Sequence, residues 1–182
     1  MELTALETKR LHLGEIGQQH KEAVYAILSR EDVMQYYGTD AFTEPEQAGT
    51  LIDSFREGLM EGRAVRWGIM LKENGRLIGT IGIHNWNKRA KKAEIGYELH
   101  PDYWGKGLAK EAVAAVLTHA FNELDLYRMG AVVYPANTVS SGMLKGMGFK
   151  EEGLLRAFLY QGGKSHDALM FSLLKPEWQG KS

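Results

Sequence analysis

Three short stretches carry residue types that could do chemistry together. In Pro101-Asp102-Tyr103-Trp104-Gly105-Lys106-Gly107-Leu108-Ala109-Lys110-Glu111-Ala112, two glycines flank Lys106 and lead into the helical spacing of Leu108 to Phe121. Glycine takes positive φ readily and lets a ligand approach the main chain closely. A loop of this kind at a helix start turns successive N–H groups, and the positive end of the helix dipole, toward one point. The physical reading is a phosphate or pyrophosphate cradle. Two glycines also serve many strand-to-helix turns that bind nothing, so the loop alone decides little.

The second stretch is Ala93 to His100, an extended run that feeds the loop. Period two puts Glu94, Gly96 and Glu98 on one face and Ile95, Tyr97 and Leu99 on the other. A carboxylate there with a raised pKa could take a proton from an amine, directly or through water. The competing reading is that Glu94 and Glu98 face solvent or pair with the basic run Lys88-Arg89-Ala90-Lys91-Lys92. The third stretch holds Asn137 and Ser140, three apart on the first turn of a short helix. Both can cap helix N–H groups, and a serine hydroxyl so placed could also give a proton to a leaving group.

Other candidates are weaker. The six histidines show no ligand spacing on a shared helix or hairpin, and there is no cysteine, so no metal site is expected. Gly163-Lys164-Ser165 looks like the tail of a P-loop, but Phe158 stands where its first glycine belongs. Tyr36, Tyr37 and Phe42 suit the wall of a substrate pocket better than Trp67, Trp86 and Tyr97, which read as core.

Around these stretches the elements follow from periodicity. Strands are expected at Arg10 to Glu15, Val65 to Leu71, Leu77 to Trp86, Ala93 to His100, Tyr127 to Tyr134, Glu152 to Tyr160 and His166 to Leu174. Helices are expected at Gln18 to Arg30, Thr43 to about Glu61, Leu108 to Phe121 and Asn137 to Met147, with Glu31 to Phe42 as loop. Thr43-Glu44-Pro45-Glu46 has a capping-box spacing with an early proline. Asn74-Gly75 is a hairpin turn, and Gly148 ends a helix. Meandering strands come first and crossovers later, which gives an α+β fold: a mixed, mostly antiparallel central sheet with helices on both sides. The chain reads as one domain, 1–182.

Composition bounds the function. With 44% hydrophobic and 25% charged residues the chain is globular, and a formal net charge of −1 argues against a nucleic-acid-binding surface. No apolar run approaches a membrane span and the first residues lack a signal peptide's apolar core. A soluble, cytoplasmic protein is the expectation.

In these stretches the chain resembles the GNAT superfamily of N-acetyltransferases, in its RimJ/RimL-like branch. The matching pieces run nearly the full length: Glu7-Thr8-Lys9-Arg10-Leu11, Leu77-Ile78-Gly79, Ala93-Glu94-Ile95-Gly96-Tyr97, Tyr103-Trp104-Gly105-Lys106-Gly107-Leu108-Ala109, Asn137 with Ser140, Gly148-Phe149, and Gly163 with His166-Asp167. The resemblance implies acetyl-coenzyme A as cosubstrate and direct transfer to an amine in a ternary complex. It implies that Trp104, Gly105, Lys106, Gly107, Leu108, Ala109 and Lys110 bind the pyrophosphate through backbone N–H groups. The strand from Glu94 to Leu99 would lie against the pantetheine, a backbone N–H near Leu99 would stabilise an oxyanion, and Asn137 would contact the cofactor. Glu94 aligns with a strand carboxylate that serves as base in several members, Glu98 is the alternative base, and Ser140 matches a serine proposed to protonate the departing thiolate. Many members have a tyrosine acid at the position of Leu144, which this chain lacks. The branch acetylates protein N-terminal amines, notably of ribosomal proteins. A small amine such as a polyamine or aminoglycoside is the alternative acceptor, and a non-catalytic acyl-coenzyme A-binding module the alternative class. Exposed strand edges could also pair two copies as a homodimer.

Overall fold

Val65, Trp67, Ile69 and Leu71 alternate with smaller or more polar residues, and this period folds as a strand whose odd positions are buried. The computed structural model describes residues 2–180; positions 1, 181 and 182 of the expected domain lie outside the described residues. In chain order the elements are β1 (Leu6–Glu7), β2 (Leu11–Gly14), α1 (Lys21–Leu28), α2 (Glu31–Met34), α3 (Pro45–Met60), β3 (Val65–Leu71), β4 (Leu77–Asn87), β5 (Lys92–Leu99), α4 (Leu108–Asn122), β6 (Arg128–Val133), α5 (Thr138–Gly146), β7 (Lys150–Gln161) and β8 (Lys164–Leu174). The strands form one 8-stranded sheet in the order β1-β2-β3-β4-β5-β6-β8-β7. Every neighbouring pair is antiparallel except β5 with β6.

The expected elements are present, with local corrections. The two-residue β1 carries too little pattern to read from sequence, and Glu31–Met34 forms one helical turn inside the expected loop. The start of α3 is capped one residue later than the Thr43–Glu46 spacing suggested. Gln47 Oε1 accepts from Glu44 N at 3.0 Å and from Thr43 N at 2.7 Å. Gly148 takes φ 100° just past α5, as a glycine after a helix end does.

The two sheet faces bury different things. On one, Trp67, Ile69, Ile81, Ile83, Ile95 and Leu99 pack with Val113, Val116, Leu117 and Ala120 of α4 and Leu144 of α5. On the other, a smaller cluster holds Val24, Ile27 and Leu28 of α1, Met34 of α2, and Ala48 and Ile52 of α3. Under α1 and α3 the sheet is thinned by glycine. Arg66 faces Gly82 on β4, which faces Gly96 on β5. A Cβ on Gly82 would stand 2.6 Å from Arg66 Cδ, so only glycine there lets the arginine cross over β4.

Arg66 crosses to reach Glu98. Its Nη2 donates to the Glu98 carboxylate, Nη1 donates to Gly96 O at 3.1 Å, and Nε donates to Thr80 Oγ1 at 2.8 Å. Thr80 Oγ1 in turn donates to the other Glu98 oxygen. The Phe55 ring lies 5.7 Å from the guanidinium. Burial disfavours the Arg66 charge, but Glu98 more than offsets this and raises its pKa. A buried charge left without its partner is far more costly than the intact pair is stabilising. Glu98→Ala should therefore lower stability by about 3–5 kcal/mol, measured as the shift in a urea unfolding midpoint. The double variant Arg66→Met with Glu98→Leu should recover most of that loss. A single variant within about 0.5 kcal/mol of the parent, the range of surface substitutions, would mean the pair does not hold these three strands.

Candidate active site

The parallel ladder between β5 and β6 is short. It pairs Lys92 with Arg128, Ala93 with Met129 and Glu94 with Gly130, and ends there. Beyond Glu94, β5 stays bonded to β4 through Leu99, while β6 stays bonded to β8 through Val133. The two arms splay and leave a gap. His100 N donates to Ile78 O at 2.7 Å, which sets the phase of the β4 ladder. Since alternate residues of an antiparallel pair exchange both bonds, Gly96 and Glu98 bond to β4. Tyr97 and Leu99 turn their amides toward the gap. Leu99 O is taken by Trp104 Nε1 at 2.8 Å.

The glycine loop sits at the mouth of this gap. Gly105 and Gly107 have φ of 71° and 74°, and Gly107 is the N-cap of α4 with no side chain to cap it. The first N–H groups of a helix have no intrahelical partner, so Leu108, Ala109 and Lys110 present their amides outward. A Cβ on Gly105 would meet nothing within 4 Å. Leu108 is buried under the sheet and anchors the turn, while Trp104, Lys106 and Lys110 are exposed. Lys106 Nζ stands 5.3 Å from the centre of the Tyr103 ring.

A clamp unseen in the sequence holds the loop. Arg10 Nη1 donates to Lys106 O at 2.9 Å, and Arg10 Nε donates to Glu111 Oε2 at 2.7 Å. Thr8 Oγ1 donates to Glu111 Oε1 at 2.6 Å. Partial burial would raise the Glu111 pKa, but the Thr8 hydroxyl and Arg10 outweigh it and hold the carboxylate below its ordinary range. The loop is thus fixed and carries an added cation at its rim. An uncapped helix start, two flanking cations and an open strand edge fit a pyrophosphate joined to an extended, amide-bearing arm.

The candidate carboxylates lie apart in role. Glu94 is half-buried beside the end of the parallel ladder, 3.4 Å from His84 Nε2, and accepts from Asn85 Nδ2 at 3.2 Å. Asn85 reaches it from a bulge in β4, with φ 50°. The hydrogen bond from His84, aided by Asn85 and opposed by burial, lowers the Glu94 pKa. The raised pKa expected of a carboxylate base is therefore absent at Glu94. Glu98 is almost fully buried in the Arg66 and Thr80 bonds.

Asn137 and Ser140 lie at the start of α5. Asn137 Oδ1 accepts from Ser140 N at 3.2 Å, which is the capping role. Ser140 Oγ shares a hydrogen bond of 2.8 Å with Tyr97 Oη, across the gap from β5. Burial raises the Tyr97 pKa, and the Ser140 bond opposes that. Tyr97 was expected in the core, and nothing in its spacing pointed to Ser140. Among the described residues no group of three or more His, Cys, Asp or Glu side chains could hold a metal ion. None of their helices is long and apolar enough to cross a membrane.

Comparison with known proteins bears on this arrangement. The family described as acetyltransferase (GNAT) domain matches residues 10–150. The N-acetyltransferase YoaA of Bacillus subtilis is 42% identical over 171 residues, 94% of this chain and 97% of that protein. The [ribosomal protein uS5]-alanine N-acetyltransferase of Escherichia coli is 27% identical over 119 residues, 65% of this chain and 61% of that enzyme. Among solved structures, a GNAT-family acetyltransferase from Bacillus anthracis superposes with a TM-score of 0.84 at 25% identity, covering 96% of this chain and 100% of that one. Spermidine N-acetyltransferase from Vibrio cholerae, solved with CoA and spermine, shares the fold with a TM-score of 0.82 at 19% identity, covering 93% of this chain and 98% of that one. A splayed mixed sheet with an uncapped glycine loop at its mouth, in a chain matched over these residues, belongs to the GNAT family of acetyl-coenzyme A-dependent N-acetyltransferases.

Proposed function

We propose that the chain acetylates the N-terminal amine of a peptide or protein, with Glu94 as proton acceptor and Ser140 as proton donor. The observation that carries this reading is the Glu94 carboxylate held by His84 and Asn85 at the end of the β5–β6 ladder, an arrangement that keeps it a weak base. A weak base can serve only an amine that is already partly neutral. An α-amino group, with a pKa near 7.7–8.0, is roughly one-third neutral at pH 7.5, whereas an alkyl amine near 10.4 is about 0.1% neutral. The charge around Glu94 supports the same choice. A shallow recess there is lined by Asn85, Lys92, Ala93, Glu94, Arg128 and Met170. A polyamine would need carboxylates for several cations, and here Lys92 stands beside Glu94 while Arg128 and Glu152 are already paired with each other. The named activity of the uS5-alanine relative is in keeping with a protein N-terminus as acceptor.

Acetyl-coenzyme A supplies a thioester carbonyl for the amine to attack. The amides of Leu108, Ala109 and Lys110, with Arg10 and Lys106 beside them, are placed to hold its pyrophosphate. Trp104, Gly105 and Gly107 shape that cradle. The Tyr97 and Leu99 amides, on the free edge of β5, suit the amide-bearing arm and a developing oxyanion. The Asn137 side-chain amide keeps its Nδ2 donor for the cofactor while Oδ1 caps the helix. Glu94 Oε accepts the proton that leaves the amine as nitrogen bonds to carbon and passes it to water. Ser140 Oγ supplies a proton to the departing sulfur as it takes one from its hydrogen-bond partner Tyr97 Oη, and solvent water returns the proton to the tyrosine.

Free-thiol release should be measured with peptides bearing N-terminal Ala or Ser, spermidine, and an aminoglycoside. Turnover is expected on the peptides; turnover confined to the small amines would replace this acceptor. Glu94→Gln should lower kcat/KM about 10²-fold, the usual scale of general-base catalysis. Because a lowered pKa keeps Glu94 ionised throughout the neutral range, the fall in rate between pH 8 and 7 belongs to the acceptor amine. It should persist unchanged in the variant, and a limb that vanishes with Glu94 would assign it to the enzyme instead. Ser140→Ala should reduce kcat by about 10²-fold while the KM for acetyl-coenzyme A stays within about twofold. An unaltered kcat would leave Ser140 with only its place in the helix cap.

A further inference from the structure

The segment between α2 and α3 spans the splay on the Glu94 face of the sheet, and Gln161 makes several of the hydrogen bonds that hold it. Burial, with the Glu98 carboxylate of the β5 arm close by, raises the Tyr37 pKa. The neighbouring Tyr36 places its ring 5.9 Å from Tyr134, just past the end of the β6 arm. Tyr134 in turn stands 5.4 Å from the His166 ring. Beside them opens a recess of about 390 Å³ lined by Tyr134, Pro135, Ala136, Ser165, His166 and Asp167.

Gln161, the last residue of β7, makes four side-chain hydrogen bonds to this strap and its surroundings. Its Oε1 accepts from Tyr134 Oη at 2.6 Å and from Gly38 N at 3.2 Å, and its Nε2 donates to Met34 O and to Thr39 O, both at 2.7 Å. A primary amide offers two acceptor sites and two donors, so its capacity is used in full. The partners fix its orientation, since carbonyls only accept and an N–H only donates. The neighbouring Gly162 N donates to Asp40 Oδ1 at 2.9 Å, and His166 Nε2 donates to Gln161 O at 2.9 Å. Gly38, at φ +92°, lies against Leu159 of β7. Among the described residues, the hydrogen bonds of 38–40 go to Gln161 and Gly162.

We propose that Gln161 is a positioning residue for acceptor selection: it holds the strap 35–41 across the splay and thereby sets Tyr36 and Tyr134 as the wall that the acceptor chain passes. The proposal rests on the acetyltransferase reading above, in which the acceptor approaches on the Glu94 face. Glutamate at 161 keeps the two acceptor bonds but loses both donors and points a carboxylate at two carbonyls. Leucine loses all four bonds at similar volume.

The test uses Gln161→Glu and Gln161→Leu, with an N-terminal-alanine peptide as acceptor. Both variants should raise the peptide KM roughly tenfold, the scale of one net hydrogen bond, and leave the acetyl-coenzyme A KM within about twofold. For Gln161→Glu the gap from the parent should narrow between pH 8 and pH 5.5, because a protonated carboxyl regains one donor. For Gln161→Leu it should not narrow. Amide hydrogen exchange on the same proteins should speed up across 35–41 and stay unchanged at the glycine loop. Unaltered exchange in 35–41 would overturn the positioning role, and faster exchange with an unaltered peptide KM would overturn its bearing on the acceptor. A parent enzyme inactive on every amine would remove the acetyltransferase reading itself, while the exchange result would still report on the strap.

Discussion

Backbone hydrogen bonding inside a sheet must be completed, and this chain leaves it incomplete at one place. After Glu94 and Gly130 the β5–β6 ladder stops, although both strands run on. Unpaired amides within a folded protein are costly unless water, a side chain or a ligand takes them. Here the Leu99 carbonyl is taken by the Trp104 indole, and the amides facing the gap are left for a ligand that brings its own acceptors. The glycine loop then follows from position. It is the first turn after the strand whose edge is open, and it ends in a helix whose own first amides are uncapped. One unfinished ladder thus creates two adjoining sets of free donors, one for an extended arm and one for its anionic end.

Keeping the gap open needs bracing from both faces. On the α1–α3 face, the Arg66–Glu98 pair ties β3, β4 and β5 into one arm that does not follow β6. On the α4–α5 face, the Tyr97–Ser140 bond reaches from that arm to the helix after β6. On the same face as the Arg66–Glu98 pair, the strap 35–41 sets Tyr37 near Glu98 of β5 and Tyr36 against Tyr134 past the end of β6. Glu98, buried and bonded to a guanidinium and a threonine, is thus taken up in bracing the β5 arm.

What was legible in the sequence was local. Alternation at Val65 to Leu71, the two glycines around Lys106 and the Asn137–Ser140 spacing each act within a few residues and lie in the elements that spacing suggested. The two-residue turn expected at Asn74-Gly75 is instead a longer loop, Lys72 to Gly75, closed by Leu71 N donating to Arg76 O at 3.0 Å. Long-range partners were not legible. Arg10 finds Glu111, Arg66 finds Glu98, and Gln161 finds Gly38 through the fold, between residues whose identities taken singly look like ordinary surface polarity. Period two put Glu94 and Glu98 on one face correctly. It could not say that a glycine on β4 would let an arginine through to one of them, nor that a bulge would turn Asn85 toward the other.

The environment of Glu94 also decides how much of the work falls to chemistry and how much to position. A base raised toward neutrality by burial would strip an ammonium unaided, and this site does the reverse by pairing the carboxylate with His84 and Asn85. In the proposed mechanism Glu94, ionised throughout the neutral range, would attract the amine electrostatically and take its proton only once bonding to carbon has made that proton acidic. On that proposal the site would favour amines that lose their charge near neutral pH. The remaining discrimination must then come from whatever lies along the acceptor's path behind its nitrogen. On this face of the sheet that path is bounded by the aromatic rings that the strap carries.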